Sequence, residues 1–320
     1  MNRFNPSIRV ILLAVLIIYA STLFIFKFRV RTERQATVNR ALEESPRRRY
    51  STSDEMRYIM YGIGDQFSPD DQLILDYIRC HISEPSLSRP RQLKRSDGND
   101  ASEYGQSTFV DKLLSGRRGG FFVECGAADG EYSSNSLFFE LQRNWTGLLI
   151  EASPNLHREL LDKNRRAYVL SACLSIERRP ARYRLRWRRD GAISSIVDLK
   201  RQTHLPFVGN NSDSDLEVNC FPLNSVMAAL GVSHVDYLSL DVEGAELQIL
   251  RTVDWTRLRI DVITVEYRII ASKQPIDIPA TLKKLNDTRR FFRDTGSYHE
   301  VGLLPSGDEA LGLDVVFSRV

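Results

Sequence analysis

Four apolar runs in this chain finish in acids. FVECGAADG carries Glu124 two residues before Gly126, with Asp129 beside Gly130; GLLIEASP ends in Glu151; LSLDVEGAE ends in Asp241 and Glu243; VITVEY ends in Glu266. A carboxylate buried without a partner is costly, so a set of them points to a ligand bearing hydroxyls or positive charge. Each has a plainer reading taken singly. An acid followed by glycine is ordinary turn chemistry, and Asp241 and Glu243 also suit the first turn of a helix, whose dipole favours them. In open α/β sheets, however, ligands lie at the carboxyl ends of the strands, and these acids share that register.

The chemistry suits S-adenosylmethionine. Gly126 and Gly130 let the backbone come close to a ligand. Glu151, twenty-seven residues after Glu124, stands where a carboxylate bridges a ribose diol. Glu124 or Asp129 can face an ammonium and a sulfonium. A nicotinamide dinucleotide wants G-x-G-x-x-G with its pyrophosphate on a helix N-terminus; here the turn is G-A-A-D-G, and Asp129 would repel that group. No GxxxxGK[ST] occurs. On the acceptor side the catalytic candidates are Asp241, Glu243 and Glu266. General acid–base work falls to Asp241 or Glu266 if burial raises a pKa, and none of the five histidines closes a strand. Methyl transfer also proceeds by positioning alone. Asp241, Glu243 and Glu246 offer oxygens to Mg²⁺, but helix capping is the favoured role and no metal is expected.

Strands alternating with helices must position these residues, the pattern of a doubly wound, mostly parallel sheet. The expected strands are 119–125, 146–152, 167–174, 236–244, 262–267 and 313–319; the expected helices are 108–114, 134–143, one opening on Ser153 and Pro154, one at AELQILRTV, and 281–292. ARYRLRWR (181–188) alternates Arg182, Arg184, Arg186 and Arg188 with Tyr183, Leu185 and Trp187, the pattern of an edge strand with a solvated basic face. Ser194 and Ser195 read as turn chemistry.

The N-terminus differs in kind. Val10–Phe26 is seventeen residues without a charge, flanked by Arg9 and Lys27. At roughly 1.5 Å per residue it covers about 25 Å, enough to cross a bilayer when the flanking cations snorkel. A cleaved signal peptide is the alternative, with Tyr19-Ala20-Ser21 a poor cleavage site. The expected organisation is a tail at 1–9, a transmembrane anchor at 10–28, a juxtamembrane linker with a short helix near 71–82 at 29–104, and an α/β domain at 105–320. Flanking charge leans towards a cytosolic domain, and sequons at Asn144, Asn210 and Asn286 lean the other way. The net charge is +3. The flank 27–50 carries +5 and Arg3 and Arg9 a further +2, so 51–320 carries about −4. That basic flank suits anionic headgroups, not nucleic acid. Four cysteines are too few for a disulfide scaffold and show no CxxC.

FFVECGAADGEYSSNS, NWTGLLIEASP, CLS (173–175) and VDYLSLDVEGAELQIL resemble the FkbM-type methyltransferase domain. Residues 105–122 and 217–230 resemble its membrane-anchored animal branch, the Star-like proteins. The resemblance implies a Rossmann-like fold with S-adenosylmethionine at Glu124, Gly126, Asp129, Gly130 and Glu151, and a substrate-side role for Asp241, Glu243 and Glu246. It implies an O-methyltransferase with a small-molecule or glycan acceptor. The Star-like branch implies instead a trafficking factor, moving membrane-protein cargo from the endoplasmic reticulum to the Golgi and through endosomes, with catalysis absent.

Overall fold

The computed structural model describes residues 68–95, 98–187, 193–197, 215–269, 276–306 and 309–320, with Ala36 and Arg40. The anchor expected at 10–28 and the sequon at Asn210 lie outside them. Among the described residues no helix is long and apolar enough to cross a membrane.

The elements run α1 (Gln72–His81), β1 (Ile82–Ser83), α2 (Gln106–Leu113), β2 (Phe121–Cys125), α3 (Leu137–Arg143), β3 (Thr146–Glu151), α4 (Pro154–Lys163), β4 (Tyr168–Ser171), β5 (Cys173–Leu174), β6 (Ala181–Trp187), β7 (Ile193–Val197), β8 (Asp215–Phe221), α5 (Leu223–Ala229), β9 (His234–Leu240), α6 (Glu246–Thr252), β10 (Arg259–Glu266), α7 (Ile278–Thr295), β11 (Tyr298–Ser306) and β12 (Glu309–Arg319). The main sheet has the order β1-β4-β3-β2-β9-β10-β12-β11. Its five central strands, β4 to β10, are parallel, and β1, β12 and β11 pair antiparallel at the edges.

Every residue of β2 and β3 is buried, as expected of strands covered on both faces. Their alternation sorts the core. Phe121, Val123, Cys125, Leu148 and Ile150 enter one apolar cluster; Phe122 and Leu149 enter the other, with Trp145, Tyr237 and Val262. Ser153 caps α4 by accepting the Leu156 N–H at 3.3 Å, with Pro154 in the first turn. The face of α1 bearing Ile74, Leu75 and Ile78 is buried, and β1 adds a strand beside β4.

The structure departs from the sequence reading most visibly around the second sheet. The run at 167–174 is two strands: it breaks at Ala172, and β5 leaves the main sheet for a second one of order β5-β8-β6-β7. β6, read as an edge strand, is interior to that second sheet, paired with both β7 and β8. Its basic side chains therefore flank paired strands, Arg182 lying 3.5 Å from Glu217 of β8. Ser194 and Ser195 belong to β7 rather than to a turn. A Cys173–Cys220 disulfide ties β5 to its parallel partner β8, with the Cα atoms 4.4 Å apart.

Candidate functional site

Strand order reverses between β2 and β9, and a cavity of about 350 Å³ opens at the carboxyl ends of these strands. The turn after β2 forms its floor. Gly126 (φ 81°) and Ala128 (φ 47°) are both left-handed. The N–H groups of Gly126 and Ala127 donate to the Ile150 carbonyl at 3.0 and 3.1 Å. A Cβ on Gly126 would stand 1.9 Å from the Asp241 carbonyl oxygen, so glycine permits a close approach between two backbones here, at a position that also lines the cavity.

Glu151 closes β3 at 2 % exposure and lines the cavity. One carboxylate oxygen accepts the Ala128 N–H at 2.8 Å and the other the Ser153 N–H at 2.7 Å. Burial raises its pKa to about 7, against the pull of those amides. Each oxygen keeps a lone pair for a further donor.

Glu124 is 3 % exposed, and its carboxylate organises the loop before α3. It accepts the Ser134 hydroxyl at 2.9 Å, the Asn135 N–H at 2.6 Å and the Ser136 hydroxyl. Arg165, fully buried behind them, donates to Ser134 and Ser136 at 3.2 and 3.1 Å. Burial raises the Glu124 pKa although Arg165 opposes it. The loop presents Asn135, whose amide donates to Ser239 at 2.9 Å. Its carbonyl oxygen is buried with no partner among the described residues, and the residue lines the cavity. Sequence reasoning passed over Asn135 and Ser239: it placed 134–143 in a helix, whereas the helix begins at Leu137 and Asn135 lies in the loop before it, and it read Ser239 as one residue of a buried strand.

Two expected cofactor residues lie off the cavity wall. Asp129 accepts the N–H groups of Glu131 and Tyr132 at 2.9 and 2.8 Å and sits 3.4 Å from the Lys163 ammonium. Partial burial works against its charge, but those amides and Lys163 hold its pKa below the ordinary value. Gly130 (φ 78°) packs against α4: a Cβ there would meet Leu160 at 2.1 Å. Both shape the turn from behind.

The acidic side is built by β9, β10, α6, α7 and β12. Asp241 follows β9, half-buried and facing the cavity, and its carboxylate accepts no hydrogen bond from the described residues. Burial, with Glu243 and Asp314 nearby, raises its pKa well above the ordinary value. Glu243 is exposed at the rim with a left-handed φ of 58°. Glu246 caps this loop, accepting the N–H groups of Val242 and Gly244 at 3.1 and 3.0 Å. Its second oxygen lies 2.7 Å from the ammonium of Lys284 on α7, which is 4.0 Å from Glu266. Glu266, a catalytic candidate of the sequence reading, is buried cross-strand from Asp314 and does not line the cavity; burial together with Asp241 raises its pKa well above the usual range. Asp314 accepts the Gln106 amide at 2.8 Å, and burial lifts it to about 6. Lys284 escaped the sequence reading because a lysine on a long polar helix reads as solvated; here the side chain is only 9 % exposed.

The structure thus brings Glu124, Glu151, Asp241 and Glu243 around one cavity and leaves Glu266 off its wall. Five carboxylates line it, Glu103 included, and among the described residues no Lys, Arg or His does. Ile150, Leu156, Leu174 and Leu185 add apolar surface to its lining. At the other edge of the sheet, His234, Asp236 and Asp261 stand close enough to suggest a metal site. Arg117 fills it, 2.6 Å from both carboxylates, and Arg259 and His234 reach Asp261 at 2.9 and 3.1 Å.

Comparison with known proteins agrees with this geometry at the level of family. No curated protein matches the sequence. Among solved structures, the FkbM methyltransferase of Methylobacillus flagellatus KT is 14 % identical, with a TM-score of 0.40 over 77 % of this chain and 53 % of that one. Aeropyrum pernix fibrillarin, solved with natively bound S-adenosyl-L-methionine, is 11 % identical, with a TM-score of 0.37 over 67 % and 76 %. Human methyltransferase 10 domain containing protein is 9 % identical, with a TM-score of 0.34 over 73 % and 88 %. The model of the methyltransferase FkbM domain matches residues 124–296, more than half of the sequence, and the chain therefore belongs to the FkbM methyltransferase domain family.

Proposed function

We infer that the domain is an S-adenosylmethionine-dependent methyltransferase acting on a hydroxyl acceptor, held at membranes of the secretory and endosomal pathway by the apolar segment 10–28. The observation that carries the biochemical half is Glu151, buried at a strand end and lining the cavity, with each carboxylate oxygen held by one backbone amide. A ribose diol supplies the two donors that carboxylate lacks. The apolar part of the lining, Ile150, Leu156 and Leu174, suits an adenine face. The carbonyl of Asn135, with no partner among the described residues, suits the donors of the ammonium, and the surplus of acids suits the positive charge of the donor molecule. A cavity of about 350 Å³ falls in the range of small-molecule sites.

The cofactor contributes a methyl group already activated on a sulfonium. The chain contributes orientation and a proton acceptor. Asp241, which accepts no hydrogen bond from the described residues and is disfavoured as an anion by burial, accepts the proton of the acceptor hydroxyl. Lys284 and Glu246 fix the loop that carries it. A wall without cations selects against carboxylate or phosphate acceptors. The anchoring half rests on the uncharged run at Val10–Phe26, its basic flank and the Star-like stretches.

The test uses the full chain in detergent with methyl-labelled S-adenosylmethionine and membrane glycan or small hydroxylated acceptors. Label transfer that Asp241→Asn abolishes is expected. No label transfer and no S-adenosylhomocysteine with any acceptor would leave the fold without turnover, and the non-catalytic trafficking reading would stand in its place.

A further inference from the structure

The only bonded cysteines among the described residues are Cys173 and Cys220, forty-seven apart in sequence and brought together by the parallel pairing of β5 with β8. The other two thiols are apart: Cys80 is exposed on α1 and Cys125 is buried at the end of β2. A structural disulfide forms and persists in an oxidising compartment and is rare in the cytosol. Two Asn-X-Thr triplets, one at the start of β3 and one on α7, stand independently of that bond. Asn144 ends α3 in a left-handed turn, exposed, immediately before β3. Asn286 lies exposed on α7, beside Asp287. Their threonines are buried: Thr146 donates to the Arg166 carbonyl, and Thr288 to the Lys284 carbonyl. The triplet is read in the extended chain during synthesis, so what the fold must accommodate is a bulky group on the asparagine alone. Both asparagines meet that condition. Asn144 precedes a strand whose far end bears Glu151, so a glycan there stands at the opposite edge of the sheet from the cavity.

We propose that the methyltransferase domain lies in the lumen of the secretory pathway, where Cys173 and Cys220 are joined and Asn144 and Asn286 each carry an N-linked glycan. In bond formation the two thiols lose two protons and pass two electrons to a dithiol–disulfide oxidoreductase. In glycosylation the asparagine amide nitrogen bonds to the anomeric carbon of a polyprenyl-pyrophosphate-linked oligosaccharide; the sugar–phosphate bond breaks, the amide loses a proton and the pyrophosphate leaves. This reading rests on entry into the secretory pathway and is independent of methyl transfer. It places the balance of topology signals on the lumenal side, against the slight excess of positive charge after the apolar run.

The experiment expresses the full chain in mammalian cells and treats membranes with an N-glycosidase. Denatured samples are then capped with a polyethylene-glycol maleimide before and after reduction. The expected result is a glycosidase-sensitive mobility with one step lost in Asn144→Gln and one in Asn286→Gln, each read in a background carrying Asn210→Gln. Two maleimide adducts before reduction and four after it are expected alongside. A chain whose mobility the enzyme leaves unchanged, or four adducts without reduction, overturns the proposal. So does retention of both glycan steps in either single variant. Carbonate extraction separates the two failures: a carbonate-resistant chain without glycan or disulfide refutes the lumenal placement alone, whereas a soluble cytosolic chain refutes the anchoring too.

Discussion

Gly126 and Asp241 meet backbone to backbone: the Asp241 N–H donates to the Cys125 carbonyl at 3.3 Å, and its own carbonyl lies where a Cβ on Gly126 would stand at 1.9 Å. The contact joins the ends of β2 and β9, the two strands between which the sheet order reverses. It sets the separation between the turn after β2 and Asp241.

Gly126→Ala therefore forces those strand ends apart and also requires a left-handed alanine at φ 81°. The left-handed conformation alone costs about 1–2 kcal/mol, and the collision adds to it. Urea denaturation should show a loss of about 2–4 kcal/mol, the range of overpacking plus backbone strain. An unchanged midpoint would mean the contact relaxes without cost.

Glu151 gives a pH signature. Its pKa in the fold, about 7, lies above the ordinary 4.5, so the folded state binds a proton more tightly than the unfolded chain. Its contribution to stability is present below the ordinary value and is lost as pH rises towards 7. Hydroxyl donors from a ribose favour the ionised form, so S-adenosylhomocysteine binding should strengthen from pH 5.5 to 8 and release protons near pH 7. Calorimetry in buffers of different ionisation enthalpy measures that release. Glu151→Gln should remove both the release and the pH slope.

Asp241 and Glu151 should separate chemistry from binding. Asp241→Asn preserves shape and removes the proton acceptor. It should lower kcat by roughly 10²- to 10⁴-fold and change S-adenosylhomocysteine affinity little. A variant with near-normal kcat would make transfer a matter of positioning alone.

Lys284 is a test of the acidic cluster. Its charge is opposed by burial but favoured by Glu246 and Glu266, which hold its pKa above the ordinary value. Lys284→Met leaves Glu246 and Glu266 without their cation and should destabilise the fold by about 3–5 kcal/mol, the usual result of removing one member of a buried pair. The loss should shrink at low pH, where the acids are protonated. Thermal melts at pH 5 and pH 8 provide the comparison.

The disulfide reaches the cofactor site, since Cys173 lines the cavity and β8 is paired with β6, which brings Leu185 to the same wall. Reduction, or Cys220→Ser, should weaken S-adenosylhomocysteine binding several-fold while the far-ultraviolet spectrum is retained. Equal affinity in both redox states would show that β4 and α4 hold that wall unaided.

The acids near strand ends were legible in the sequence because each follows a run of apolar residues that must be buried: Glu151 and Glu266 close β3 and β10, Glu124 is the penultimate residue of β2, and Asp241 is the first residue after β9. The parallel core was legible for the same reason. β5 was not, since nothing local distinguishes a strand that continues from one that turns at Ala172 into another sheet. β8 and β11 were missed because their apolar residues are interrupted by Glu217, Asn219, Glu300 and Gly302. The roles within the turn were blurred by its own chemistry: Asp129 and Gly130 match a ligand-facing pattern, yet their partners are Lys163 and Leu160. Asn135 and Lys284 became visible only once tertiary packing placed them.

The central claim is that Glu151 and the turn at Gly126 hold a nucleoside cofactor, and direct titration tests it most closely. Isothermal calorimetry of the full chain with S-adenosylhomocysteine should give a saturable, one-to-one isotherm that Glu151→Ala weakens at least tenfold, a loss of about 1.4 kcal/mol. No heat at millimolar ligand, or an affinity indifferent to Glu151, would contradict the account.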